Sequence, residues 1–179
     1  MLITLVVAAE VAFWLILVSG LVMRYALLRP RLGVALLAAT PLVDLALLAA
    51  TTFDLRRGGE ATLPHALAAV YIGVSLAWGK RIVDWADARV AHRFAGARLP
   101  ESAPRTGRPH AARQRREWLR HLMAWSIGIT LLGVGALAVG DLERTEALLD
   151  VAALWTLVLA VDFLISFSYT LWPRQPSKT

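Results

Sequence analysis

The chain has 179 residues, 58% of them hydrophobic, with a mean hydropathy of +0.58, a formal net charge of +6 and no cysteine. So apolar a composition, gathered in long blocks instead of at helix or strand period, excludes a soluble domain and points to a membrane protein. The lack of thiols excludes disulfides, cysteine nucleophiles and cysteine-ligated metal or iron–sulfur sites, and the basic residues gather beside the apolar blocks, where membrane topology places them, so no nucleic-acid partner is expected.

The expected fold is all-α, a membrane bundle of five transmembrane helices. The first span, Leu2 to Met23, lacks the charged n-region and small-residue cleavage site of a signal peptide and is expected to be retained. Glu10 lies inside it, and Arg24, Arg29 and Arg31 follow, with Pro30 marking the turn into a second span, Leu32 to Phe53. Within that span Thr40-Pro41-Leu42-Val43-Asp44 sets a proline beside a carboxylate. The Pro41 ring clashes with the Leu37 carbonyl and withholds its donor, which predicts a kink one turn before Asp44. A third span starts near Leu63 and continues past the membrane surface as an amphipathic extension, because Val83, Ala86, Val90 and Phe94 keep helical spacing. Pro100, Pro104 and Pro109 then predict a basic, flexible loop over 95–117. The fourth span runs from Trp118 to Val139, an acidic turn covers Asp141 to Glu146, and the fifth span, Leu148 to Trp172, leads into a polar tail at 173–179. The organisation is thus residues 1–94, a loop at 95–117, residues 118–172 and the tail.

Counting Lys and Arg sets the orientation. The loop after span one has three, the stretch Lys80 to Arg120 has eleven and the tail has two, whereas the opposite side has only Arg56, Arg57 and Arg144. The excess marks the cytoplasmic side, so the N-terminus is expected outside and the C-terminus in the cytoplasm of an inner-membrane, multi-pass protein. A helical rise of ~1.5 Å per residue then puts Glu10, Asp44 and Tyr71 each roughly 12–13 Å below the outer surface, with Asp162 about 20 Å below it. His65 lies above them. Asp162 shares its helix side with Trp155, Ser166 and Tyr169, and Tyr71, Ser75 and Trp78 make a similar stripe on span three. Small residues at ridge spacing, Ala69, Gly73 and Ala77 on span three and Gly133, Ala136 and Gly140 on span four, predict close helix approach.

An ionisable side chain in hydrocarbon costs from ~2.5 to over 10 kcal/mol, so such groups are candidates for function. Glu10, Asp44, His65, Tyr71 and Asp162 are therefore the expected lining of an outward-opening polar pocket for a proton, a cation or a small polar solute. Each carboxyl could instead be a protonated packing group. Asp44, Asp54 and His65 are a weaker combination for a metal. No transmembrane histidine pair exists for a haem, no HExxH, P-loop, GxGxxG or GxSxG occurs, and no cofactor is expected. Asp84-Trp85-Ala86-Asp87-Ala88-Arg89 lacks the glycine and the later acidic pair of the CDP-alcohol phosphatidyltransferase motif. Arg81, Arg89, Arg93, Arg113, Arg115 and Arg116 are the expected contacts to anionic lipid. With an odd number of spans in a short chain, the pocket role is expected to need a homo-oligomer. Two other roles stay open: an accessory or regulatory subunit docked on another membrane protein through small-residue helix faces, and a lipid-modifying enzyme working through the membrane carboxylates.

Pro41-Leu-Val-Asp44, Asp54-Leu, His65-Ala-Leu-Ala-Ala-Val-Tyr71-Ile-Gly73-Val-Ser75 and Trp85-Ala-Asp87, ending in Arg93-Phe94, resemble the YmcC-like family, uncharacterised small bacterial multi-pass integral membrane proteins. The resemblance implies a bacterial inner membrane and carries no activity with it.

Overall fold

A computed structural model of the chain describes residues 2–56, 61–101 and 103–174. The side chains of Glu10, Asp44 and Asp54 lie outside the described set. All regular structure among the described residues is helical: α1 (Leu2–Leu21), a π-turn (Val22–Ala26), α2 (Pro30–Arg56), α3 (Leu63–Ala95), α4 (Gly107–Val139), a 3-10 turn (Glu143–Thr145) and α5 (Glu146–Leu171). By length and composition α3, α4 and α5 are each able to cross a membrane, and Val11–Ala26 and Pro30–Val43 add shorter apolar stretches. In the most apolar windows of those three helices only 17–22% of residues are buried. Leu137, Leu164 and Leu171 stand outward, as lipid-facing side chains do and as a water-soluble surface of this extent does not.

The chain divides into two compact units, Met1–Ile72 with Gly128–Val151, and Gly73–Ile127 with Ala152–Thr179. In the first, α1 packs on α2 through two glycines. A Cβ on Gly33 would lie 2.8 Å from the Gly20 carbonyl oxygen, and one on Gly20 would lie 3.0 Å from Leu37 Cγ, so only hydrogen fits at Gly33. The connection is wound tight: Leu27 and Arg29 donate back to Val22 and Met23, and Leu28 takes a left-handed φ of 52°, unusual for leucine. Pro41 sits inside an unbroken α2. The carbonyl it orphans, that of Leu37, accepts a 2.8 Å hydrogen bond from the buried Thr40 hydroxyl instead. At the start of α5, Asp141 Oδ1 accepts from the Glu143 and Arg144 amides, and buried Thr145 bonds the Asp141 carbonyl at 2.8 Å. The Ala61 amide donates to the Arg144 carbonyl at 2.8 Å, tying the lead into α3 to this turn.

In the second unit α3 and α4 come into backbone contact, because a Cβ on Gly73 would fall on the Ala124 carbonyl oxygen. On α4 the expected face shows no such approach at its two glycines among the described residues. A Cβ at Gly133 meets nothing within 4 Å, and Gly140, at φ 70°, closes the helix end. The loop expected over 95–117 is also shorter than the sequence suggests, since α4 begins at Gly107. Pro109 stands in the first turn, where a missing N–H deprives no carbonyl, so it starts the helix instead of breaking it.

Candidate functional site

The sequence places Trp118, His121 and Trp125 along α4, and Trp155, Asp162, Ser166 and Tyr169 along α5, at spacings of three, four and seven that return each set to one face. The two faces meet in the second unit. Trp118 donates to the Leu159 carbonyl (3.2 Å) and Trp125 to the Thr156 hydroxyl (3.0 Å), which sets the register of the helix pair. Between them His121 Nδ1 lies 2.8 Å from Asp162 Oδ2, the Trp155 indole N–H donates to His121 Nε2 at 3.0 Å, and Ser166 Oγ donates to Asp162 Oδ1 at 3.2 Å. The Trp78 ring of α3 lies 6.1 Å from the imidazole. Trp155 and Ser166 are buried, whereas the His121 and Asp162 side chains keep 16% and 36% exposure.

The donors decide the protonation pattern. An indole N–H can only donate, so His121 Nε2 is an acceptor and the proton of the neutral ring sits on Nδ1, pointing at Asp162. Asp162 is approached by His121 at one oxygen and by the Ser166 hydroxyl at the other. A further proton on His121 Nε2 requires the Trp155 bond to break. One on Asp162 Oδ1 requires only that the Ser166 hydroxyl turn from donor to acceptor, which a hydroxyl can do and an indole cannot.

A second polar group lies on the turns of α4 that precede its apolar part. Glu117 Oε1 is hydrogen-bonded by Arg81 of α3 and by Arg120 (3.2 Å), with Arg113 at 4.0 Å. Partial burial works to raise the Glu117 carboxyl, but the hydrogen bonds and charges of Arg81 and Arg120 outweigh it and hold the group below its ordinary value. Nearby, His110 is buried, with its Nδ1 3.2 Å from the Pro104 carbonyl oxygen and its ring edge-on to Tyr169.

The chain is 43% identical over 171 residues to a Bacillus subtilis (strain 168) protein called "Uncharacterized membrane protein YmcC", an alignment covering 96% of this chain and 92% of that one. The chain belongs to the YmcC family. No protein-family model and no solved structure matches it. As a YmcC-family chain with three helices among the described residues apolar and long enough to cross a bilayer, it is a membrane protein.

The candidate residues of this YmcC-family protein separate. Asp162 enters the network just described. His65 accepts the Thr62 amide at 3.1 Å, in the manner of a cap at the start of α3, and Tyr71 is 39% exposed with its ring edge-on to Phe13 at 5.5 Å. Glu10 and Asp44 stand on α1 and α2, and their pocket lies outside the described side chains. Asp44 and Asp54 of the expected metal set fall there too, and the described residues hold no group of three metal-ligating side chains. Of the arginines, Arg89 lies over the Trp85 ring at 3.7 Å, Arg115 donates to Thr170 at 2.8 Å, Arg93 is exposed, and Arg81, Arg113 and Arg116 line one recess. His121, Glu117 and Arg120 were not evident as site residues. The Trp118, His121, Trp125 spacing was the available signal for the first of them.

Proposed function

We propose that this YmcC-family protein is a multi-pass protein of the inner (cytoplasmic) membrane, crossing it five times with its N-terminus outside, and that it binds a proton at Asp162 as part of the binding or permeation of a proton, cation or small polar solute. The observation that carries this reading is the 2.8 Å His121–Asp162 pair between apolar helices, with Trp155 holding the far side of the imidazole. An ionisable pair in such surroundings is costly and marks function by default. The asymmetry of its partners supports a direction for the chemistry: the proton goes to Asp162 Oδ1 as Ser166 reverses its hydroxyl, while His121 keeps its Nδ1 proton and its bond to the carboxylate. The topology is supported by sixteen Lys and Arg on one side against three on the other. In the first unit Glu10, Asp44, His65 and Tyr71 are the candidates for an outer polar step, supported by the matching depth of Glu10, Asp44 and Tyr71.

The test is proton flux in proteoliposomes containing a trapped pH dye, driven by an imposed potassium diffusion potential. Wild-type protein is expected to pass protons faster than empty liposomes, and Asp162→Asn, which keeps shape but cannot ionise, to remove most of that excess. Equal flux in wild type, Asp162→Asn and empty liposomes refutes permeation.

A further inference from the structure

Arg81 of α3 and Arg113, Arg116 and Arg120 of α4, with Pro104, Pro109 and Glu117, line an open recess of about 270 Å³. Four guanidinium groups thus face one carboxylate. Three of them, Arg81, Arg113 and Arg120, are drawn to a single oxygen, Glu117 Oε1. A guanidinium carries five N–H donors in a fixed fork, so one contact each with that oxygen leaves most of them directed elsewhere. Arg116 spends its Nε on the Ala112 carbonyl at 3.3 Å and keeps its terminal nitrogens. Glu117 therefore gathers the arginines without neutralising them, since one carboxylate stands against four guanidinium charges in the recess lining. Bidentate guanidinium forks match phosphate oxygens in geometry as well as charge. The depth is also specific: the apolar part of α4 starts at Trp118, directly after Glu117, which places the recess at the level of lipid phosphates. Its volume is just under the ~300 Å³ at which pockets for drug-sized ligands begin, which suits a headgroup and not a larger cofactor.

We propose that this recess is a phosphate-binding site that takes the headgroup phosphate of an anionic phospholipid, with Glu117 as the residue that positions the arginines. The full-length protein in detergent micelles is titrated with phosphatidylglycerol or phosphatidylcholine, bound lipid being counted by native mass spectrometry. Wild type is expected to retain phosphatidylglycerol over phosphatidylcholine. Arg113→Gln/Arg116→Gln is expected to weaken phosphatidylglycerol roughly thirtyfold, at about fivefold per basic residue near a membrane surface. Arg116→Gln alone, at an exposed position with no carboxylate partner among the described residues, is expected to weaken it about fivefold with the fold intact. The control is Arg98→Gln/Arg105→Gln, which removes equal charge outside the recess and is expected to leave the preference for phosphatidylglycerol over phosphatidylcholine in place. An equal loss in both double variants assigns the effect to diffuse charge and overturns the site, as does a wild type with no preference. Inorganic phosphate, added at constant ionic strength to lipid-free micelles, separates the sources. Thermal stabilisation of wild type but not of Arg113→Gln/Arg116→Gln shows a site open to free phosphate, and stabilisation by phosphatidylglycerol alone shows one confined to lipid.

Discussion

If His121 and Asp162 act as one unit, removing both must cost less than the sum of removing each. His121→Ala deprives the buried Trp155 N–H of its acceptor and leaves Asp162 with Ser166 alone, an unsatisfied buried donor costing ~1–3 kcal/mol on top of the lost ring volume. Asp162→Ala is expected to cost less, because Ser166 can turn its hydroxyl to the backbone carbonyl four residues back and the partly exposed His121 Nδ1 can reach water. The coupling itself lies between two bounds. A hydrogen bond to a charged group in a folded protein is worth about 1.5–3 kcal/mol, and interhelical hydrogen bonds within membranes average about 0.6 kcal/mol with a maximum near 1.7. With Asp162 at 36% exposure, we expect about 1–1.5 kcal/mol. The assay is reversible unfolding of wild type, both single variants and the double variant in mixed micelles titrated with dodecyl sulfate, followed by far-ultraviolet circular dichroism. Effects that add to within ~0.3–0.5 kcal/mol refute the pairing.

Gly73→Ala forces a methyl onto the Ala124 carbonyl and should lower the unfolding free energy by ~1–3 kcal/mol, whereas Gly133→Ala, with open space around it, should stay within ~0.5 kcal/mol of wild type in the same thermal melt. Thr40→Val leaves the Leu37 carbonyl without its hydroxyl donor and should cost about 1–2 kcal/mol by dodecyl sulfate unfolding, with Thr40→Ser retaining most of it. Because the folded Glu117 carboxyl is held below its ordinary value of 4.5, its stabilising contribution is complete above that value and is lost as pH falls through the lower folded one. Acid melts of Glu117→Gln should therefore lack that part of the slope which wild type shows below about pH 4.5. For topology, a fluorescent-protein fusion after Trp172 should be bright and an alkaline phosphatase fusion at Thr62 active, the reverse pattern excluding the proposed orientation.

The helices were legible because each is an apolar run bounded by arginines, glycines or prolines, and composition reports such runs directly. Their ends were less so. Pro100, Pro104 and Pro109 look alike in a sequence, yet the effect of a proline depends on which carbonyl it faces, and Pro109 in the first turn of α4 faces none that needs a donor. The same local rule identified Leu37 as the carbonyl orphaned by Pro41 but missed that the adjacent Thr40 supplies the bond. Asp162, with Trp155 and Ser166 on one helix side, could be picked out because that pattern is local. Its partner could not, since pairing with His121 depends on the register of α4 against α5, set by indole bonds between residues more than thirty positions apart. The surplus of donors around Glu117 was hidden for a related reason, because Arg81 arrives from another helix.

The bond from Thr40 to the Leu37 carbonyl makes the order of sequence change matter. With Pro41 in place, losing the hydroxyl strands a carbonyl among apolar side chains; once Pro41 is replaced by a residue with an N–H, the helix repairs itself and position 40 is released. A lineage can therefore shed the proline first and the threonine afterwards without loss, whereas the opposite order passes through a weakened intermediate.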